Sequence, residues 1–301
     1  MNIGVRIKMV AIKKPLLIVV FVLCSCICNA QNLQRIFSFD EGQEFQKETF
    51  LSSTFVIQRG GQKMNIKSTS TVNKNYKIKE VNDEGYTFKV TIPKMDVKIK
   101  ALGNELHYNS DTAIDSTSKI EKALDFMVGK TNTVLVNRRG IILSESDYSS
   151  YLANDTLLSF AGIQGESFIK GTQFALIPNF VNKPLGVGYK WSDTSTVNNQ
   201  KLKTNFWIDA RTDKNIIVKF TSTAKGRTIN SNTNGTYVLD NTSGVLVQRL
   251  IQSISTGYII LGQEVYAITR RINLSETCVE KKGGEASTSA LRSGGNIIRS
   301  N

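Results

Sequence analysis

One histidine, His107, serves the whole chain of 301 residues, and only one of its four cysteines, Cys278, lies beyond residue 28. A lone histidine leaves no imidazole-rich ligand set for zinc or haem and one candidate base, set beside Tyr108 in "NELHYNS". A single distal cysteine closes no internal disulfide, so packing must hold the chain together. With no histidine near it to lower its pKa, that thiol is expected to be buried and inert. The chain also has no G-x-S-x-G elbow, no H-E-x-x-H and no phosphate loop. "GVG" at 186 to 188 lacks the third glycine of a dinucleotide fingerprint and reads as a strand-opening turn. Asp209 and Asp213 offer a carboxylate pair of the kind glycoside hydrolysis uses, but 25 acidic residues supply such neighbours by chance. No basic block interleaved with aromatics points to nucleic acid. The expectation is a protein that is not an enzyme and carries no cofactor and no metal.

What the chain does have begins at its N-terminus. Arg6, Lys8, Lys13 and Lys14 precede any acidic residue, the first of which is Asp40. An apolar stretch runs from Leu16 to Cys28 and ends in "CNA". Basic, apolar and small-residue zones in that order describe a secretory signal peptide, and the stretch is short for a membrane span of about 20 residues. The cut is expected between Ala30 and Gln31, which removes Cys24, Cys26 and Cys28 with the signal. An alternative is open: "LCSC" resembles a lipobox, with Leu23 and Ser25 in place and Cys26 as the acylated residue, although Cys24 departs from the pattern. The first outcome makes the protein exported and periplasmic, the second anchors it by lipid to the outer membrane.

Downstream the chain reads as strands. "YTFKVTI" sets Tyr86, Phe88, Val90 and Ile92 against Thr87, Lys89 and Thr91; "MDVKIKA" sets Met95, Val97, Ile99 and Ala101 against Asp96, Lys98 and Lys100. A period of two marks strands with one face on a core and one in water. "RGGQ" at 59 to 62, "NDEG" at 82 to 85 and Pro93 with Lys94 are turn signals, and short links imply antiparallel neighbours. "SKIEKALDFMVG" carries a helical apolar stripe, a capping box in Ser118 and Glu121, and Gly129 to end it. "TVLVNRRGIIL", 133 to 143, is expected to turn at Asn137 to Gly140, and 148 to 161 and 166 to 177 to be helical. From Leu185 strands return in "TNFWIDA", "NIIVKFTS", "GTYVLDNTSGVLVQRL" and "YIILGQEVYAITRRINL".

The order strands, helices, strands gives an α+β fold: a large antiparallel, curved, half-barrel-like β-sheet with a few helices inserted mid-chain. The expected division is a signal at 1–30, one β-rich domain over 31–278 and a disordered Gly/Ser-rich tail over 279–301. Two halves, 36–145 and 180–278, share landmarks: Gly42 before Phe45 and Gly188 before Trp191, then "IKEVNDEGYTFKV" beside "IDARTDKNIIVKF". The spacing between landmarks differs, so duplication and two separate meanders both stay open.

The formal charge is +13. Lys77, Lys79, Lys89, Lys98 and Lys100 are expected on one sheet face, as a contact for anionic lipid or glycan or simply as a solvated surface. Thr112, Ser116 and Thr156 sit in short Asp-Ser/Thr patterns that resemble O-glycosylation sites of exported bacterial proteins.

"LGVGYKW" and "GTYVLDNTSGVL", through Gly188, Trp191, Gly235, Leu239, Asp240 and Gly244, resemble an uncharacterised family of exported Gram-negative bacterial proteins, a domain of unknown function. That family has no assigned activity and no catalytic residues. The architecture is also similar to the half-barrels of periplasmic lipoprotein carriers. Together these readings lead to an envelope protein whose curved sheet and helices form a cleft for a lipid or other hydrophobic ligand. The alternative is an envelope scaffold that binds a protein through its sheet face or edge, and a hydrolase without a recognisable motif comes third. Membrane contact is expected only through lipidation or a basic face.

Overall fold

A computed structural model describes residues 37–144, 168–178, 186–197 and 200–281. Its body is one large, curved, unclosed antiparallel sheet of 11 strands with one short helix. In chain order the strands are β1 (Glu44–Arg59), β2 (Gln62–Val81), β3 (Gly85–Ala101), β4 (Asn104–Asn109) and β5 (Thr131–Asn137), then β6 (Lys190–Val197), β7 (Gln200–Arg211), β8 (Asn215–Lys225), β9 (Ile229–Asp240), β10 (Leu246–Leu261) and β11 (Glu264–Lys281). Helix α1 (Lys119–Asp125) lies between β4 and β5. Across the sheet the order is β4-β3-β2-β1-β11-β10-β9-β8-β7-β6, with β5 also on β3. The first meander therefore meets the second through its first strand and the chain's last, from Glu44 opposite Lys281 to Gln58 opposite Ala267. Strand β11 continues past Cys278, where the sequence places the end of the domain.

Alternation decides which residues go inside. Phe45, Lys47, Ser53, Phe55 and Ile57 of β1 are buried, while Phe50 and Gln58 are exposed. Registered partners share a face, so the parity of β1 carries across the sheet and defines an inner and an outer face. On the inner face, Phe45, Tyr76, Ile78, Tyr86, Phe88, Val134 and Val136 form one core, roofed by Phe37, Phe39, Phe168 and Phe174. A second core gathers Phe55, Ile66, Met95, Val97 and Ile99 beneath Leu124 and Met127, the residues that tie α1 to the sheet. A third holds Trp191, Ile208, Ile216, Val218, Leu239 and Leu246. Each large apolar side chain so buried contributes about 1.5–3 kcal/mol.

Helix α1 starts as its cap predicts. The Ser118 hydroxyl accepts from Glu121 N at 3.2 Å, but the Glu121 carboxylate reaches back to Asp115 N at 2.8 Å and not to Ser118. Gly129, at φ +76°, closes the following turn.

Two expectations need correcting. Pro93 and Lys94 make no turn: β3 runs unbroken from Gly85 to Ala101, with a bulge opposite Asn73 and Asn75. Proline is tolerated there because β5 borders β3 only as far as Thr91, β4 borders it only from Asp96, and the β2 register skips Pro93 at the bulge, so no registered partner asks Pro93 for an N–H. Residues 168–177 are not helical either. They form turns stitched across both halves: Ile142 N donates to Thr172 O, Phe174 N to Gly140 O and Leu246 N to Leu176 O. Phe168, Phe174, Leu176 and Ile177 are buried, so tertiary packing fixes this segment. The helix expected at 148–161 lies outside the described residues.

One local geometry occurs twice. Gly42 and Gly188 both have φ +83°, a value that glycine adopts most readily. Gly42 N donates to Ile78 O at 2.9 Å, and Gly188 N donates to Ile208 O at 2.8 Å. Ile78 N returns a bond to Gln43 O at 2.9 Å, as Ile208 N does to Tyr189 O at 3.0 Å. A bulge follows each isoleucine: Ile78 opposes Phe88 and Glu80 opposes Thr87, while Ile208 opposes Val218 and Ala210 opposes Ile217. The turns after β5 and β9 match as well, with Asn137 Oδ1 accepting from Arg139 N at 2.9 Å and Asp240 Oδ1 from Thr242 N at 3.0 Å. The unequal spacing in the sequence lies mainly in the hairpin lengths, since β1 and β2 have 16 and 20 residues and β6 and β7 have 8 and 12.

Candidate ligand-binding groove

A groove of about 650 Å³ crosses the outer face over β7, β8, β9, β10, β11 and β1. Strand register builds it. One row of directly opposed residues runs Trp207, Lys219, Thr236, Leu250, Ser275, Phe50; the next runs Asn205, Thr221, Asn234, Gln252, Asn273, Ser52. Apart from Asn205 and Ser52, all of these line the groove. Six strands at roughly 4.8 Å spacing give it a length of about 24 Å. The first row supplies apolar surface, with Phe50 and Leu250 left 44% and 42% exposed. The second supplies amides and hydroxyls along one flank. Lys219 is the cation in the lining, and its Nζ is 2.9 Å from Asp209 Oδ2.

The inner side of the same strands backs the groove with a row of aromatic rings. Trp191, Phe206, Phe220 and Tyr237 follow one another at ring distances of 5.1, 5.8 and 5.2 Å. Gly235 leaves room for this row, because a Cβ there would meet the Phe220 ring at 2.4 Å. Burial pushes the Tyr237 hydroxyl's pKa up, so it stays protonated. Beside it begins a buried charge chain at the junction of the meanders. Arg249 Nη2 is 2.6 Å from Glu276 Oε2, Lys47 Nζ is 3.7 Å from Glu276 Oε1, and the Thr49 hydroxyl donates to the same oxygen at 3.1 Å.

The groove is not where the sequence reading puts a cleft. That reading joins sheet and helices, whereas six strands alone form the groove, on the face turned away from α1. Phe50, Trp207 and Leu250 went unnoticed because each sits on a different strand and only register unites them. One signal was available: "LVQRLIQSISTGYIIL" carries apolar residues at both parities, so β10 has apolar residues on both faces.

The residues singled out from sequence are scattered. Lys77 and Lys89 are directly opposed on the outer face, while Lys98 and Lys100 lie toward the other end of β3, and Lys79 is exposed at the Ile78 bulge. Lys77 pairs with Glu44 at 2.6 Å and Lys100 with Glu105 at 3.7 Å. The structure thus brings together two lysine pairs and no single five-lysine patch. His107 Nε2 is 2.9 Å from Asp96 Oδ2 on exposed strand surface. Asp209 is held by Lys219, and Asp213 lies in the β7–β8 turn. Cys278 is buried in the first core. Thr112 and Ser116 are exposed, and the Thr112 hydroxyl donates to Asn109 O at 2.9 Å. Cys26, Ala30, Gln31 and Thr156 lie outside the described residues. Among the described residues no group of His, Cys, Asp and Glu is placed to hold a metal ion, and no helix is long and apolar enough to cross a membrane.

No family model matches the chain, and no curated protein matches it either. Among solved structures, a chain from a study of lipid–protein interactions in lipovitellin is similar over 84% of this chain and 27% of its own, with TM-score 0.47 and 10% identity. This chain therefore spans about a quarter of that one. Pseudomonas aeruginosa OccK2 (OpdF), in complex with glucuronate, is similar over 80% of this chain and 99% of its own, with TM-score 0.19 and 8% identity. At these scores neither likeness establishes a shared fold.

Proposed function

We propose that this is an exported, non-enzymatic envelope protein that binds an elongated apolar ligand of lipid type in the outer-face groove. The observation that carries the reading is the registered row from Trp207 to Phe50, which leaves Leu250 and Phe50 open to solvent at the bottom of a groove of about 650 Å³. Ligand sites are concave and mostly apolar, with a few polar groups that set orientation. A length of about 24 Å suits an extended acyl chain better than a compact metabolite. The amide row beside it, Asn234, Gln252 and Asn273, would orient ester or hydroxyl groups. Export rests on the basic, apolar and small-residue order of the first thirty residues.

Native mass spectrometry of protein purified from a bacterial envelope tests this. The expected result is a mature chain beginning at Gln31 that carries a co-purifying lipid, with the adduct lost in Leu250→Asp. A bare mature mass in the wild type sinks the ligand reading and favours a scaffold that acts through the sheet's face or edge. A mass beginning at acylated Cys26 would replace the periplasmic address with a lipid anchor.

A further inference from the structure

Strands β1, β3, β6, β8 and β10 run in one direction and finish at the same end of the sheet, where the β1–β2, β3–β4, β6–β7, β8–β9 and β10–β11 hairpins turn. Two of these tips hold aliphatic side chains out into water. Leu102, at the β3–β4 turn, is 75% exposed; Ile260 and Val265, opposed across the β10–β11 tip, are 62% and 55% exposed. Leu102 is the more telling. With Gly103 it makes the two-residue turn between Ala101 and Asn104, at φ +52° and +82°. Such a turn favours Asn-Gly, and a leucine there is misplaced both in backbone and in solvation. Among the described residues it is the one non-glycine at positive φ. A residue that violates two local rules with no packing return is a place to look for function.

The surroundings are basic. These turns and the residues next to them contain Arg59, Lys63, Lys100, Lys201, Lys225 and Arg227, all exposed. Their acidic residues are Glu105 and Glu264, each paired with a neighbouring cation, Lys100 and Arg59 respectively. Lys201 and Lys225 are directly opposed, a like-charge pair that costs stability unless an anion lies over it. The other end of the sheet differs: its turns carry Asp83, Glu84, Asp213 and Asp240 as well as Lys214, Arg138 and Arg139. From the β3–β4 tip to the β10–β11 tip is four strand spacings, about 19 Å along the sheet.

We infer that this end docks on an anionic lipid bilayer, with Ile260 and Val265 at the β10–β11 tip entering the headgroup–acyl boundary, Leu102 facing the same surface from a tip set further back, and Lys63, Lys201, Lys225 and Arg227 drawn to lipid phosphates. Aliphatic tips and a cationic surround are the two signals that together hold a protein on a membrane when neither suffices. The surface is separate from the groove and does not depend on its having a ligand.

Vesicle sedimentation tests it, with phosphatidylcholine vesicles made with and without phosphatidylglycerol. The protein is used as purified from its expression host, so every variant has the same N-terminus. Wild type should sediment with the anionic vesicles, and added salt should release it. Leu102→Asn combined with Ile260→Thr and Val265→Thr should weaken that binding roughly tenfold or more. Leu102→Asn installs the residue the turn prefers, so its melting temperature should hold or rise while its vesicle binding falls. Changing Lys63, Lys225 and Arg227 together to Gln should remove the preference for anionic vesicles. Equal sedimentation of wild type with both vesicle types, or a triple aliphatic variant that binds as wild type does, overturns the inference.

Discussion

The β1–β2–β3 and β6–β7–β8 blocks share their entry glycine, their isoleucine and their bulge, yet their outer faces differ. One residue before the isoleucine, the first block has Lys77 opposed to Lys89 and the second has Trp207 opposed to Lys219. The inner partners differ in the same sense: Tyr76 and Val90 in the first block, the adjoining, tilted rings of Phe206 and Phe220 in the second. A common backbone framework has thus been used to build a solvated lysine face in one place and the end wall of a groove in the other. Backbone hydrogen bonds set the framework, and outer-face side chains set the use.

The largest expected effect lies at the junction between the meanders. Glu276→Leu removes the carboxylate that Lys47 and Arg249 both face in a buried setting, and should cost about 3–5 kcal/mol in urea unfolding. Loss of far less would mean that the two meanders do not depend on this charge chain.

Next comes the isoleucine pair. Ile78→Ala and Ile208→Ala should each cost about 2–4 kcal/mol, since both residues are fully buried beside a bulge. Costs that agree within about 1 kcal/mol sharpen the equivalence of the blocks; a much cheaper Ile208→Ala would show that the second core collapses onto its cavity more easily.

Gly42→Ala and Gly188→Ala probe the same equivalence in the backbone. Nothing lies within 4 Å of a Cβ at either site, so the cost is conformational alone, about 1 kcal/mol each, and should be equal in thermal unfolding. The smallest effect on stability belongs to Trp207→Lys, which gives the second block the first block's outer residue. Its stability should fall by less than about 1 kcal/mol, because the new lysine opposes Lys219, whose charge Asp209 already shares, while the lipid adduct in native mass spectrometry should disappear. An adduct that survives would take Trp207 out of the groove's function.

The sequence made the strands legible because alternation is a property of each strand alone. Tyr86 to Ile92 and Met95 to Ala101 face as their parity predicts. Pro93 misled because its local meaning, a turn, was overridden by a gap between two partner strands that only tertiary structure reveals. Phe168 to Ile177 misled because apolar residues filling a gap between two halves follow no period. The groove was the least legible of all. It depends on the register of five strand pairs at once, and a shift of one residue in any of them would turn a contributing side chain to the other face.

The junction of β1 with β11 has a consequence for the protein's birth. Strand β1 is the first strand of the sheet to be made, and its partner is the last. Until β11 has been made, β1 offers a 16-residue edge of free backbone groups, with β2 already able to pair on its other side. Pairing across so long an interval of chain is slow, and open edges invite association with other chains. The sheet's central pairing is therefore completed only when the last strand meets the first.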